Sequence, residues 1–563
     1  MVESVIISTL QPYCTTTTLL GALILALPLW ITYNLFFSPL ASIPGPWTAR
    51  AGVSLFKARS AGNTTWVWDL ERLHKRYGPI VRVSTNHLSI SDPNALASIY
   101  RIANPLHKTD FYHVFQAVPG KPSLFSDTDF ESHKIRKKAV APAYAMTFLT
   151  NLEECVEGVV LSLKERMREI LENGNGNHGI GMQKGRGVDV EFDKMAHYFA
   201  MDAVGELAFG KGFDLLSPYT FHSPQQTIQS DRFLRGVANL SHWGGVAGTL
   251  PPWIGRRALN VWKRWTTQPG SDVIVDATRS RVAARYGAVM NGEEVRKDML
   301  NKFMNAKHPN GSTYSQTDVL FTATSVVAAG SDTTAVATAS LFAFLTGNPE
   351  VYAKLQKEVD DAFQDGTLTT PVPYSKAAQL PYLQACIKES LRLHPPISME
   401  LPRIVPEEGM LLCGKFVPGG TSVGCSPYIV HRQKEAYGED AEEFRPERWI
   451  EADRAEKEGG DGGETRRRLE RFYFTFGGST TSCIGKNISL MEVSKLVPEL
   501  LHEFSFARVP RGPGSPHAHP PRHRDGKSQE PGGGPAPWYC SSSWFLETKD
   551  LWLHVAERNV KEE

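Results

Sequence analysis

Polar and apolar residues are spread very unevenly along this chain. No Asp, Glu, Lys or Arg occurs at the 46 positions between Glu3 and Arg50. Within that gap, Leu19 to Phe37 reads LLGALILALPLWITYNLFF, 19 residues, about the length that crosses ~30 Å of hydrocarbon as a helix. Trp30 and Tyr33 fall toward its carboxyl end, where amphipathic rings favour the headgroup layer, and Pro28 is tolerated in a lipid-embedded helix. Only Glu3 precedes the stretch, whereas Arg50, Lys57 and Arg59 follow it, which predicts a cytosolic body. A cleaved signal peptide is the alternative, but a basic leader is missing and the apolar run is longer than a signal core. Residues 1–38 are therefore expected to be a membrane anchor and 39–64 a Pro-rich hinge, stiffened by Ile43-Pro44-Gly45-Pro46-Trp47.

Beyond the hinge, 65–563 reads as one large domain. Helical periodicity dominates from about 65 to 505, with short extended runs at Ile80–Val83 and Leu88–Ile90. Two charged or Gly-rich stretches, 174–187 and 451–468, read as surface loops. Residues 509–537 hold 14 Pro or Gly among 29 and are expected to form a disordered insert, since they cannot bury a core. Extended patterns resume at 543–546 and 551–555. The expected fold is mainly α with small β-sheets, a single large domain behind an N-terminal transmembrane helix.

Charge and cysteine content narrow the function. The chain has 61 basic and 60 acidic residues, a net charge of +1, so no strong field points to nucleic acid. Its seven cysteines are scattered, with no Cys-x-x-Cys pair, which argues against a disulfide scaffold or a zinc finger.

Three segments carry chemistry. Ser315 to Leu345 is apolar on nearly all sides and should be buried, with Ser315 and Asp318 as a capping pair. Its centre nevertheless reads Ala329-Gly330-Ser331-Asp332-Thr333-Thr334. A mid-helix Gly costs ~1 kcal/mol relative to Ala, and an unpaired buried carboxylate costs more. A satisfied polar patch is the bland reading. The functional one is a distorted turn beside a ligand, with Gly330 allowing close approach and Asp332 and Thr333 handling protons. Second, Glu389 and Arg392 lie three apart on one helix face, and Arg448 in Pro446-Glu447-Arg448-Trp449 could complete a buried three-charge lock. Third, Phe476-Gly477-Gly478-Ser479-Thr480-Thr481-Ser482-Cys483-Ile484-Gly485 runs into a helical pattern. Cys483 is thereby placed at a helix amino terminus, where N–H groups stabilise a thiolate. An inert thiol is the default for a lone Cys; this position suits a metal ligand or a nucleophile better.

In this order the motifs resemble the cytochrome P450 family, specifically the membrane-anchored fungal heme-thiolate monooxygenases similar to pisatin demethylase. The resemblance covers about residues 40 to 505 and the tail from 538. It implies heme b (iron protoporphyrin IX) with Cys483 as axial ligand to the iron, and Phe476 and Gly485 against the cofactor. Asp332 and Thr333 would handle protons, while His133, Lys137 and Arg403 would contact the heme propionates. Glu389, Arg392 and Arg448 would form the structural ion network. Phe111, Tyr112, Phe115, Phe321, Ser325 and Ile397 fall where the family contacts substrate. The implied reaction inserts one atom of O2 into a lipophilic small molecule, a secondary metabolite such as a polyketide, terpenoid or alkaloid. Electrons would come from NADPH-cytochrome P450 reductase at the endoplasmic reticulum membrane. The cysteine loop departs from the family pattern, with Ser479 where Gly is usual and Thr481 where Arg normally meets a propionate. Two other readings remain at this point: a heme-thiolate isomerase or dehydratase, and a degenerate heme-poor membrane-tethered protein.

Overall fold

The computed structural model describes residues 26–52, 55–116, 120–175, 187–217, 224–251, 254–255, 257–258, 261, 271–458, 462–509 and 539–558. The helices that matter for the site are α1 (Trp66–Tyr77), α2 (Phe130–Val140), α3 (Glu153–Asn175), α4 (Phe192–Phe209), α5 (Pro224–Gly248) and α6 (Ser271–Met290). After them come α7 (Gln316–Gly347), α8 (Pro349–Gln364), α9 (Pro381–Leu393), α10 (Glu447–Lys457), α11 (Gly462–Phe472) and α12 (Lys486–Glu503).

Helix α7 forms the axis of the helical core. It starts at the capping box read from sequence: the Ser315 side chain accepts from the Asp318 backbone, and the Asp318 side chain accepts from Ser315. Pro349 starts α8, as its fixed φ favours. Asn348 makes no side-chain cap and instead donates from Nδ2 to the Phe344 carbonyl at 2.8 Å. Helix α4 packs along α7, with Phe192 against Phe342 at a centroid distance of 4.5 Å. A Cβ built on Gly330 would come 2.9 Å from Val204 Cγ2. The approach of α4 to α7 by itself therefore favours glycine at this position.

Strands β1 (Ile80–Ser84), β2 (His87–Ile90), β7 (Ser422–Gly424) and β4 (Arg403–Ile404) form one sheet in that spatial order. The β2–β7 pair is parallel and the others antiparallel. β3 (Val188–Glu191), β11 (Trp552–Glu557) and β8 (Phe504–Arg508) form a second sheet, while β5 (Met410–Leu412) with β6 (Lys415–Val417) and β9 (Tyr539–Ser542) with β10 (Leu546–Lys549) form two hairpins.

The expected loop at 451–468 is instead two helices, α10 and most of α11, flanking 459–461, which lie outside the described residues. Its charges sit at helix spacing among good helix formers. Arg466 ties the two helices by pairing with Asp453 and Glu456, and Leu469 and Phe472 are buried. The Pro/Gly-rich segment 509–537 lies outside the described residues except for Val509, between β8 and β9. Of the 174–187 stretch, only 174–175 and 187 are described. Among the described residues, the one helix long and apolar enough to span a membrane is α7, which is mostly buried. The amino-terminal helix is described from Ala26 to Phe37.

Candidate functional site

Helix α7 is buried along most of its length, yet Phe321, Ser325, Ala329 and Thr333 are partly or fully accessible. Their spacing of four places them on one face. A stripe that is open in the middle of a core helix faces an interior space, not the outside. The helix does not unwind there. The Ser331 and Thr333 hydroxyls donate to the carbonyls of Val327 and Ala329 at 2.9 and 2.8 Å, so the expected distorted turn is an unbroken helix whose hydroxyls bond back one turn. Asp332 lies off the stripe and is buried. Ser241 Oγ on α5 is 3.5 Å from its Oδ2, and His197 Nε2 on α4 is 3.9 Å from its Oδ1. Burial, helped by the Glu547 charge, pushes its carboxyl up to about 8, so it carries a proton at neutral pH.

The cysteine loop closes on itself, the Cys483 N–H donating to the Phe476 carbonyl at 2.8 Å. Helix α12 begins directly after it, with Gly485 as N-cap. The backbone N–H groups of Gly485 and Lys486, at the start of that helix, act on Cys483 Sγ in favour of its thiolate. Burial pushes the thiol pKa up, and those N–H groups and the Lys137 charge pull it only part of the way back. The side chain is nevertheless accessible, although the surrounding protein desolvates its sulfur. A Cβ on Gly485 would meet only Cys483 Sγ, at 3.9 Å, and its φ is −84°. No packing or backbone strain in the described protein therefore requires glycine there, whereas a flat ligand lying on the loop would. Ser479 has φ +61°, the left-handed region that costs a non-glycine residue ~1 kcal/mol or more.

Cations gather beside the loop. Lys137 Nζ on α2 donates to the carbonyls of Thr480 at 2.8 Å and Ser482 at 3.4 Å. Buried Arg403 on β4 donates from Nη2 to Thr481 Oγ1 and from Nη1 to the Tyr112 hydroxyl, both at 2.9 Å. His133 is buried one turn before Lys137, its pKa pushed down to about 3 by burial and the charges of Lys108, Lys137 and Arg403. Sequence reasoning missed Lys108. It is buried, forms a β-bridge with Arg403 and donates to the carbonyls of Phe125 at 2.8 Å and Leu124 at 3.3 Å. Burial and the Arg403 charge push it down to about 7. Among the described residues, none of Lys108, Lys137 and Arg403 has an ion-pair partner. In the sequence, Lys108 stands between His107 and Thr109-Asp110 and gives no local signal of its burial.

Of the proposed substrate contacts, Phe111 and Phe115 pack with Trp544 at centroid distances of 5.2 and 5.3 Å, next to the glycines of α5: a Cβ on Gly248 would meet Phe111, and one on Gly244 would meet Phe115. In the sequence Trp544 reads only as part of the extended run at 543–546, not as a site residue. Tyr112 is buried with its hydroxyl on Arg403, so the structure places it among the cations. Ile397 bridges to Phe545 and is partly accessible. Glu389, Arg392 and Arg448 do meet. Glu389 Oε1 accepts from Arg392 Nη2 at 2.8 Å and Arg448 Nε at 2.9 Å, and all three side chains are buried.

The comparisons with known proteins agree with this geometry. The family described as cytochrome P450 matches residues 52–522. A cytochrome P450 monooxygenase of Aspergillus terreus is 32% identical over 84% of this chain and 91% of its own length. One from Emericella nidulans is 30% identical over 92% and 94%, and a pisatin demethylase of Fusarium vanettenii is 31% identical over 85% and 86%. An accessible thiol just before a helix start, in a chain that follows such enzymes nearly end to end, settles the lineage: the protein belongs to the cytochrome P450 family, is a monooxygenase, and takes heme b as its cofactor.

Proposed function

We propose that Cys483 is the axial thiolate ligand of the heme iron and that the chain oxygenates a lipophilic small molecule, a secondary metabolite. The observation that carries this is the seat of Cys483 directly before α12, accessible and beside the backbone N–H groups of Gly485 and Lys486, which favour its thiolate. The residues present fit heme. Gly485 leaves room for a flat ring, and Arg403 and Lys137, without an ion-pair partner among the described residues, form a basic edge that propionate carboxylates would neutralise, with neutral His133 as a hydrogen-bonding group beside them. A raised thiol pKa is what an iron-bound position corrects, since a metal charge deprotonates a coordinating thiol.

When bound, heme supplies the iron that activates O2. The chain supplies the surroundings. Asp332 holds a proton at its carboxyl, and the neighbouring Thr333 hydroxyl, now donating to Ala329 O, borders the cavity where that proton is needed. Phe321 and Ala329, with the Phe111–Phe115–Trp544 cluster, favour an apolar substrate and exclude water. The likeness to an enzyme named pisatin demethylase supports a small-molecule substrate. Helix α2 turns Lys134 and Lys138 outward beside the cysteine loop, a basic surface suited to NADPH-cytochrome P450 reductase. The exposed apolar side chains of the Ala26–Phe37 helix support a single-pass anchor in the endoplasmic reticulum membrane, with the body cytosolic. The domain division 1–38, 39–64 and 65–563 is part of this reading.

Carbon monoxide tests it. The dithionite-reduced holoprotein should give the long-wavelength Soret band of a thiolate-ligated carbonyl, and Cys483→Ser should lose it. A short-wavelength band in the wild-type chain, unchanged in the variant, would overturn the assignment.

A further inference from the structure

We propose that the junction between the amino-terminal helix and the body binds the phosphate headgroup of an anionic membrane phospholipid. The inference rests on the reading of that helix as an anchor, which puts its carboxyl end at headgroup depth. A cavity of about 270 Å³ lies there, walled by Ser38 just after the helix, Thr85 and Asn86 in the β1–β2 turn, and Gly420 and Thr421 before β7. Three cations from separate parts of the body converge on the hinge beside it. Arg82 Nη1 on β1 donates to the Leu40 carbonyl at 3.5 Å, Arg50 Nη2 to the Ala41 carbonyl at 3.1 Å, and Lys415 Nζ on β6 to the Ser42 carbonyl at 3.5 Å. These are carbonyl contacts, and among the described residues none of the three cations has an ion-pair partner. Arg82 is fully buried, and its other N–H groups go to Asn34 and Thr85, two residues of the cavity wall. Burial and the nearby Arg50 charge hold its guanidinium below the ordinary range. Arg50 Nε is itself buried without an acceptor. Carbonyls satisfy N–H groups but do not cancel charge. The negative end of the amino-terminal helix supplies only about half a charge against three cations. The Glu407 backbone packs on Gly419, but the residue is exposed and pairs with none of the three. An anion in the cavity completes the balance, and the hydroxyl and amide groups of its walls suit phosphate oxygens. Exposed Phe36 and Phe37, directly before Ser38, lie where the acyl chains of such a lipid would run.

Native mass spectrometry of the full-length chain in detergent, titrated with dioctanoyl phosphatidylglycerol or dioctanoyl phosphatidylcholine, tests this. Phosphatidylglycerol should bind about tenfold more tightly, the scale of one charge-assisted contact, because no carboxylate at the site meets a choline ammonium. The preference should shrink to within about twofold in the Arg50→Gln/Lys415→Gln double variant, which leaves Arg82 and its bonds to Asn34 in place. Asn86→Trp keeps all three charges and fills the cavity, so it should also weaken phosphatidylglycerol binding. Equal binding of the two lipids, a preference that survives the double variant, or full affinity in Asn86→Trp would each overturn the proposal. Displacement of phosphatidylglycerol by equimolar inorganic phosphate would assign the cavity to a soluble phosphate and overturn the lipid. Because the titration is done in micelles, it does not depend on how the chain partitions: a full-length chain found outside the membrane pellet would refute the anchor, an outcome distinct from all of these.

Discussion

At the scale of single residues, the clearest consequence of the site is thermodynamic. Asp332 faces Ser241 on α5, His197 on α4, and the Glu547–Lys549 pair on β10, and burial pushes its carboxyl from 3.8 up to about 8. In the unfolded chain the group ionises near 4; in the folded protein it keeps its proton until about pH 8. The folded state thus binds the extra proton between those values, so this residue's contribution to stability is fully present below pH 4 and falls as pH rises to 8. The slope is at most about 1.4 kcal/mol per pH unit for one proton. Asp332→Asn should remove that slope: its urea midpoint should gain on wild type between pH 5 and pH 8, with the CO band retained. Parallel curves would show that Asp332 is already ionised. The sequence made Asp332 visible because a carboxylate in an apolar helix is locally incongruous. Its partners on three other elements were not, since they meet only when α4, α5 and β10 pack on α7. Lys108 was hidden for the same reason, as its meaning depends on a β-bridge to Arg403.

At the scale of elements, the network on α9 holds the cysteine loop from behind. All five N–H donors of Arg392 are used: Nε and Nη2 on Glu389 at 2.9 and 2.8 Å, Nη2 also on the Glu443 carbonyl, and Nη1 on the His431 and Ala441 carbonyls. His431 returns a bond from Nδ1 to the Arg392 carbonyl and accepts the Phe474 N–H at 2.7 Å, while Thr475 Oγ1 donates to the Leu391 carbonyl at 2.9 Å. The entry to the cysteine loop is therefore tied to the helix end that Glu389 orders. Glu389→Gln leaves the buried guanidiniums of Arg392 and Arg448 without their carboxylate, a loss of about 3–5 kcal/mol. It should lower the denaturation midpoint and the fraction of chain carrying heme. A variant with wild-type heme content and midpoint would show that the network is dispensable. Elements with local signals, such as the α7 capping box and Pro349 at the start of α8, were legible in the sequence. Helices α10 and α11 were not, because glycines at 459 and 460 and dense charge mimic a loop until the ion pairs between the helices are seen.

At the scale of the whole molecule, a net charge of +1 gives no general attraction to anionic lipid, so the proposed membrane association is expected to be mainly apolar. The amino-terminal helix is built for that on one side: Leu29, Phe36 and Phe37 are 70, 71 and 73% exposed. On its other side, Asn34 is buried and clamps the helix to the body. Fully buried Arg82 on β1 donates to the Asn34 carbonyl at 3.0 Å and to Asn34 Oδ1 at 3.1 Å, and Trp30 Nε1 donates to the Gly52 carbonyl at 3.4 Å. The amino-terminal helix and the body are thus joined by hydrogen bonds, not merely by a hinge, so a helix acting as the proposed anchor would set how the body sits on the bilayer. Deleting residues 1–37 should move the chain from the membrane pellet to the supernatant, while the full chain should resist a high-salt wash, because apolar burial is not screened as charge is. The truncated protein should keep its thiolate CO band, since Arg82 lies outside the heme site. It should also lose about 1–3 kcal/mol of stability, because a buried guanidinium gives up its Asn34 partners. A full-length chain released by salt alone would refute the apolar anchor, and a truncated chain of unchanged stability would refute the clamp.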